Sequence, residues 1–286
     1  MDIKIEKLFD ISGKVVAITG AGGILYAAIA KALAANGAKV ALLDIMADKV
    51  GEVAGEIKAE GGEAIGIGCS VLDAASMKAA LDKILETYGR CDALVNGAGG
   101  NRKGACVPPD GKFTDLELGE LDKVFELNYK GTVLPSQVFG AYFASVGKGN
   151  IVNTSSMSAL APLTNVAGYS NAKAAVTNFT RWLAVQVRVD YPEADIRVNE
   201  IAPGFFDTTQ NHYLLFESDD KTLTKRGRSI VGHTPMGRFG DPAELIGPIV
   251  MLLSDAGTFM HGVTVCIDGG FNIYSGVGPL DEKRNQ

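Results

Sequence analysis

Three kinds of pattern are scarce in this chain of 286 residues, and each scarcity narrows the possible functions. The four cysteines form no Cys-x-x-Cys pair and the three histidines lack metal-ligand spacing, so reduced thiols and no metal site are expected. No run of about 18 apolar residues is present, which argues against a membrane span. Because the net charge is −6 and no basic run occurs, nucleic acid is not an expected partner.

The remaining composition is that of an ordinary globular protein, with 47% hydrophobic and 21% charged residues. The first seven residues, Met1 to Lys7, contain no hydrophobic signal core. A cytoplasmic location is therefore expected. We find no internal repeat and no linker, so a single domain over 1–286 is predicted.

Short apolar runs alternate with helical patterns along most of the chain. The first run, over 14–19, is followed by a glycine-rich turn and an alanine-rich helix that ends near Asn36. Further strands are predicted at 39–43, 64–68, 92–95, 150–154, 196–201 and 263–267. This alternation predicts a Rossmann-type α/β fold, a doubly wound parallel sheet of about seven strands. The stretch 203–238 is too long for a passive connection and is interpreted as a substrate lid.

Tyr169 and Lys173 lie four residues apart in a predicted helix, so their side chains share one face. An ammonium group near a phenol favours the phenolate, so Lys173 is expected to lower the pKa of Tyr169 and prepare it for proton transfer. Ser156 follows the strand 150–154, and the loop after it can return its hydroxyl to the same pocket. Taken alone, a tyrosine and a lysine at this spacing could simply be helix neighbours.

The turn after the first strand is suited to binding a nucleotide. Its glycines allow backbone N–H groups and a helix N-terminus to approach a phosphate. Asp44, at the end of the second strand, suits the ribose hydroxyls of a dinucleotide and would repel a 2′-phosphate. Because Ile45 and Met46 follow Asp44 where an arginine could attract that phosphate, NAD(H) is expected over NADP(H). A plain turn and a solvated acid are the alternative interpretation of these residues.

Several short motifs occur in the order and approximate spacing of one family. They are Thr19-Gly20, Asn96-Gly97-Ala98-Gly99, Asn128, Ser156, Tyr169-x-x-x-Lys173 and Pro203-Gly204. From about residue 10 to 273, the chain resembles the short-chain dehydrogenase/reductase family. The resemblance implies a seven-stranded parallel sheet, a nicotinamide cofactor and a homotetramer.

The resemblance also implies a role for each matching residue. Tyr169 would donate a proton to the substrate oxygen, Ser156 would bond the same oxygen, and Lys173 would bond the nicotinamide ribose. Asn128 would hold a water in the proton relay. Contacts with the cofactor are expected from Gly20, Gly23, Ile24, Leu25, Asp44, Ser70, Val71, Asn96, Ala98, Tyr169, Lys173, Pro203, Gly204, Phe206 and Thr208.

Two departures from the family pattern affect the nucleotide site. The usual turn is Thr-Gly-x-x-x-Gly-x-Gly, and here Ile24 and Tyr26 replace its second and third glycines. We expect the N–H groups around Ile24 and Leu25 to hold the pyrophosphate all the same. Ser70 stands where many relatives have an aspartate, and we expect it to contact the adenine more weakly.

A narrower resemblance, which includes the atypical turn, is to the short-chain type of D-mannonate oxidoreductase (fructuronate reductase). It is carried by the segments 22–25, 96–101, 155–157, 161–164, 202–206, 233–240 and 268–271. It implies hydride transfer between NAD(H) and a sugar acid, D-fructuronate or D-mannonate. Substrate contacts are expected from Asn101, Arg102, Lys103, Gln210 and Asn211.

Within that set, Arg102 or Lys103 is the expected partner of the substrate carboxylate, and a solvated basic surface is an equal alternative. Two other functions also remain open. One is a short-chain dehydrogenase for another polyol, a keto-gluconate or a 3-oxoacyl substrate. The other is a dinucleotide-binding regulatory protein without turnover, which is suggested only by Ile24 and Tyr26.

Overall fold

The computed structural model describes residues 4–108, 110–208 and 212–277. Over these residues seven strands form one parallel sheet, in the order β3-β2-β1-β4-β5-β6-β7. The strands are β1 Val15–Thr19, β2 Lys39–Asp44, β3 Glu63–Gly68, β4 Ala93–Asn96, β5 Lys148–Thr154, β6 Asp195–Pro203 and β7 Thr264–Ile267. The predicted doubly wound parallel sheet is confirmed. Its strand order reverses between β1 and β4, and ligands of such sheets bind at the carboxyl ends beside this point.

Helices cover both faces of the sheet because alternate strand residues point to opposite sides. Val16 and Ile18 of β1 face one apolar layer, and Val15 and Ala17 face the other. The first layer contains α2 Ile24–Ala35, α3 Ala47–Ala59 and α10 Ile246–Leu253. The second contains α4 Ala74–Tyr88, α6 Gly131–Val146 and α7 Ala167–Asp190. The remaining helices are α1 Ile5–Leu8, α5 Leu118–Phe125, α8 His212–Leu215 and α9 Lys225–His233.

The helix predicted over 118–145 is present but interrupted. A π-helical turn over Glu126–Lys130 separates α5 from α6. The Thr132 hydroxyl donates to the Asn128 carbonyl at 2.8 Å within this region. Such turns frequently lie at functional sites, and this one carries Asn128.

The described parts of the 203–238 stretch pack over the carboxyl edge of the sheet. Leu215 of α8 and Ile230 of α9 form a small apolar cluster with Met157 and Phe271. Met157 directly follows Ser156, so this segment lies beside the residues predicted to be catalytic. Among the described residues, no helix is both long enough and apolar enough to cross a bilayer.

Candidate active site

Lys173 projects from α7 toward the end of β5. Its Nζ donates to the Thr154 carbonyl at 2.8 Å and lies 5.7 Å from the centroid of the Tyr169 ring. The residue is 3% exposed. Burial lowers the pKa of Lys173 to about 8, although the negative charge of Glu200 acts in the opposite direction.

The structure brings Ser156 within hydrogen-bonding reach of Tyr169. The Ser156 hydroxyl caps the short turn after β5 by accepting from the Ser158 N–H at 3.2 Å. Its hydrogen bond with Tyr169 lowers the pKa of that phenol, but burial raises the pKa more, so the pKa lies above the ordinary value of 10. The expectation that Lys173 lowers the pKa of Tyr169 is therefore wrong for this structure. The ammonium is directed at the Thr154 carbonyl, and desolvation of the buried phenol dominates.

Asn128 is fully buried and joins the π-helical turn to the loop after β4. Its Nδ2 donates to the carbonyls of Gly100 and Val124 at 2.7 and 2.8 Å, and its Oδ1 accepts from the Gly100 N–H at 3.1 Å. A Cβ placed on Gly99 would lie 2.6 Å from Asn128 Oδ1 and 3.2 Å from Lys173 Nζ. Asn128 and Lys173 thus converge on one stretch of backbone, and the water-holding role of Asn128 stays a prediction.

The glycine-rich turn is shaped to bring backbone close to a ligand. Gly20 has φ +70, and a Cβ there would lie 2.7 Å from the Ala98 nitrogen, so only glycine fits. Gly23 begins α2, and no side chain caps this helix end. The first N–H groups of a helix have no partner within it, so those of Ile24 and Leu25 are available to an anion. This geometry fits a pyrophosphate.

Asp44 is fixed against the same turn. Its Oδ2 accepts from the Gly22 N–H and its Oδ1 from the Met46 N–H, both at 3.0 Å. The carboxylate is thereby held at the mouth of the nucleotide turn, while the neighbouring Ile45 is 78% exposed. An acid in this place fits a ribose with free hydroxyls.

Two of the expected cofactor contacts have side chains engaged elsewhere. Asn96 is 1% exposed, and its Nδ2 donates inward to Ser136 Oγ at 3.0 Å and to Asn153 Oδ1 at 2.9 Å. The Ser70 hydroxyl accepts from the Leu72 N–H at 3.3 Å. The structure therefore gives both side chains a role in holding local structure.

The other expected cofactor contacts lie at or just beyond the carboxyl ends of the strands. The Gly204 N–H donates to the Ile267 carbonyl at 2.8 Å, which joins the end of β6 to β7. The contacts at or beyond the strand ends are Val71, Ala98, Pro203, Gly204, Phe206 and Thr208. The expected binding edge thus coincides with the crevice of the fold.

The residues expected to contact substrate are only partly placed. Asn101, Arg102 and Lys103 are exposed in the loop after β4. Arg102 Nε donates to Glu120 Oε2 at 2.9 Å, so this guanidinium already has an anionic partner. Gln210 and Asn211 lie outside the described residues.

Comparison with known proteins connects this geometry to a family. The family model described as short chain dehydrogenase matches residues 14–217. The chain belongs to the short-chain dehydrogenase family. It is therefore an oxidoreductase of the kind that acts on alcohol or carbonyl groups.

Three relatives within this short-chain dehydrogenase family are informative. UxuB, an uncharacterized oxidoreductase of Bacillus subtilis, is 43% identical over 277 residues, which cover 94% of this chain and 98% of the relative. A D-threitol dehydrogenase of Mycolicibacterium smegmatis is 33% identical over 95% of this chain and 98% of its own. The crystal structure of a candidate D-mannonate oxidoreductase from Haemophilus influenza, with bound NAD, has a TM-score of 0.87 and 40% identity. It covers 96% of this chain and 100% of that one.

Sequence reasoning gave no role to two residues that shape the short-chain dehydrogenase site. The Thr19 hydroxyl accepts from the N–H groups of Gly97 and Ala98, at 3.1 and 3.2 Å, and so holds the loop after β4 against the nucleotide turn. Glu200 is a fully buried acid in β6. The sequence did carry a signal for Glu200, because it is a charged residue in a strand that must be buried on both faces. A charged residue in such a strand is rare unless it has a partner.

Proposed function

We propose that this chain is an NAD(H)-dependent oxidoreductase that interconverts a keto-hexuronate and a hexonate, with D-fructuronate and D-mannonate as the pair. The observation that carries the oxidoreductase chemistry is the convergence of Ser156, Tyr169 and Lys173 beside a nucleotide turn. The choice of substrate is supported by the 40% identical candidate D-mannonate oxidoreductase.

The residues that would hold NAD(H) fit that group. The uncapped start of α2 would hold the pyrophosphate through Ile24 and Leu25, and Asp44 would accept from the adenosine ribose. Lys173 would bond the nicotinamide ribose. Thr208 would meet the carboxamide, and Pro203-Gly204 would bring backbone near the ring.

When bound, NADH would supply the hydride for reduction of the substrate ketone. Tyr169 donates its proton to the substrate oxygen, and its raised pKa keeps the phenol protonated near neutral pH. Ser156 donates a hydrogen bond to the same oxygen and stabilises the negative charge that develops there. Lys173 contributes a positive charge beneath the phenol.

A sugar acid also requires recognition of its carboxylate and hydroxyl groups. We propose that Arg102 or Lys103 binds the carboxylate and that Asn101, Gln210 and Asn211 bind hydroxyls. The stretch 203–238 would act as the lid of this single-domain enzyme, because its described part packs on Met157. Replacing both cations with alanine should raise KM for the uronate strongly, and an unchanged KM would remove them from the site.

The deciding experiment is NADH oxidation with D-fructuronate, beside D-tagaturonate and 5-keto-gluconate. We expect turnover to be fastest with D-fructuronate and to fall by a factor of at least about 10² in Tyr169→Phe. Faster reduction of either competitor would reassign the substrate. A complete lack of turnover with every ketone would favour a regulatory dinucleotide-binding protein.

A second candidate function is oxidation of a linear polyol. It is favoured by the 33% identical D-threitol dehydrogenase. A polyol has no carboxylate, so a polyol dehydrogenase would be indifferent to substitution of Arg102 and Lys103. Reduction of NAD by D-threitol, faster than by D-mannonate, would select this function.

A further inference from the structure

Tyr26 occupies the place of a family glycine, yet its side chain is buried and not exposed at the glycine-rich turn. It lies in the first turn of α2, is 6% exposed and belongs to the apolar layer on that side of the sheet. Its hydroxyl is hydrogen-bonded to Thr154 Oγ1 at the end of β5. The side chain therefore passes beneath the cleft, from the nucleotide turn to the strand that precedes Ser156.

The room for this ring comes from Gly97, in the loop after β4. A Cβ on Gly97 would lie 2.6 Å from both Cδ2 and Cε2 of Tyr26, closer than real Cβ contacts come. The glycine missing from α2 is thus matched by a glycine opposite it. Tyr26 and Gly97 form one complementary packing unit.

Thr154 stands where the sheet no longer holds β5 on one side. The last pair between β4 and β5 is Asn96 with Asn153, whereas the pairing with β6 continues through Thr154. The Thr154 side chain is hydrogen-bonded to the Tyr26 hydroxyl. The carbonyl of this same residue accepts from Lys173 Nζ at 2.8 Å.

We propose that Tyr26 is a positioning residue that fixes Thr154, and through its carbonyl fixes Lys173 beneath Tyr169. This inference rests on the proposed function, in which Lys173 acts in the site. It gives the atypical nucleotide turn a purpose, because the same helical turn that offers N–H groups to the pyrophosphate also holds the lysine. The tyrosine that replaces the usual glycine then connects α2 to the end of β5 through its hydrogen bond with Thr154.

Among the described residues, the titratable groups considered around Lys173 and Thr154 come from three elements. Tyr169 lies one turn before it on α7, Glu200 acts on it from β6, and Tyr26 reaches Thr154 from α2. Burial raises the pKa of Tyr26 well above the ordinary value of 10, so this phenol stays neutral. Tyr26 therefore affects Lys173 through its hydrogen bond with Thr154 and not through a charge of its own.

The test follows the ionisation of Lys173 in the free protein. Wild type, Tyr26→Phe, Thr154→Val and the double variant are labelled with 13Cε-lysine, and the Lys173 signal, assigned with Lys173→Met, is titrated by NMR. Each single variant should lower the midpoint by at least about 0.5 pH unit, because the Thr154 carbonyl is no longer held in place to accept from the ammonium. The double variant should show no further shift, because both changes break one bond.

Tyr142→Phe is the matched control, since its hydroxyl accepts from the Cys91 N–H at 3.3 Å away from the cleft. It should leave the Lys173 midpoint unchanged. If Tyr26→Phe and Thr154→Val lower the melting temperature but not the midpoint, Tyr26 is only a packing residue and the proposal is overturned. The titration needs no substrate, so failure of every sugar acid as substrate would overturn the proposed function and leave this result intact.

Discussion

The pKa of Tyr169 shifts in the direction opposite to the one that its spacing from Lys173 suggested. Burial lowers the pKa of Lys173 to about 8 and raises that of Tyr169 above 10. As pH rises through about 8 the ammonium is lost first, while the phenol keeps its proton. The rate constant kcat/KM for ketone reduction, which reports the free enzyme, should therefore fall above about pH 8.

Lys173→Arg provides the control for this fall in kcat/KM, because a guanidinium stays charged throughout the pH range tested. Steady-state rates between pH 6 and 10 should show no fall near pH 8 in the arginine variant, whatever its absolute activity. If the arginine variant shows the same fall near pH 8, the ionisation that causes the fall belongs to a group other than Lys173.

Asp44 combines two roles at the nucleotide turn. It accepts from the Gly22 N–H, and its charge would repel a 2′-phosphate. Asp44→Asn keeps an acceptor and removes the charge, so the ratio of NADH to NADPH affinity should fall by about tenfold. Fluorescence titration with each cofactor measures this ratio. Ile45→Ala, at the exposed neighbour, should leave it unchanged.

At the scale of the element, Glu200 of β6 belongs to a network of hydrogen bonds between buried side chains that crosses the sheet. Glu200 accepts from Thr264 Oγ1 at 2.7 Å and from Thr180 Oγ1 at 3.1 Å, and Thr180 Oγ1 also accepts from Asn153 Nδ2. Asn96 donates to Asn153 at its far end. Desolvation raises the pKa of Glu200 above 4.5.

The raised pKa gives a stability prediction with a definite sign. The native state holds the Glu200 proton more tightly than the unfolded chain, so its stabilising contribution is complete below pH 4.5 and is lost as pH rises through the native pKa. Glu200→Gln should therefore unfold at higher urea concentration than wild type at pH 7, and this advantage should shrink toward pH 4.5. Glu60→Gln, on an exposed helix end, serves as the surface control.

The elements themselves were largely predictable, because apolar runs and their turns are local signals. The seven strands match their predicted positions to within two residues at every end. The directions of single side chains were not predictable. Asn96 points inward because of the pleat of β4, and the course of the Tyr26 ring depends on Gly97, 71 positions away in the chain. Neither the direction of Asn96 nor the packing of Tyr26 against Gly97 can be predicted from the spacing of neighbouring residues in the sequence.

At the scale of the whole molecule, one apolar face is left uncovered by the part of the chain that the structure describes. Phe125 of α5 contacts Tyr129, which meets Phe179 and then Trp182 of α7 through successive ring contacts. Trp182 is 55% exposed, and Val185 and Val189 are each 67% exposed. We propose this face as one interface of the homotetramer that the family resemblance implied.

A tetramer with D2 symmetry requires a second kind of contact. A candidate for this second contact is β7, which pairs only with β6 in the described sheet. Near this strand, Phe259 and Ile273 are 104% and 80% exposed. An unpaired strand edge with exposed apolar neighbours favours association.

These two faces make separable predictions. A glutamate placed in an interface must lose its hydration, which costs far more than the same change on a wet surface. Trp182→Glu should therefore give a dimer held by the β7 edge, Phe259→Glu a dimer held by the α5 and α7 face, and the pair of changes a monomer. Light scattering coupled to size exclusion measures each mass, and Lys58→Glu serves as a surface control. A tetramer that survives both changes would place the interfaces elsewhere, whereas a wild-type monomer would leave the exposed aromatic face for another partner.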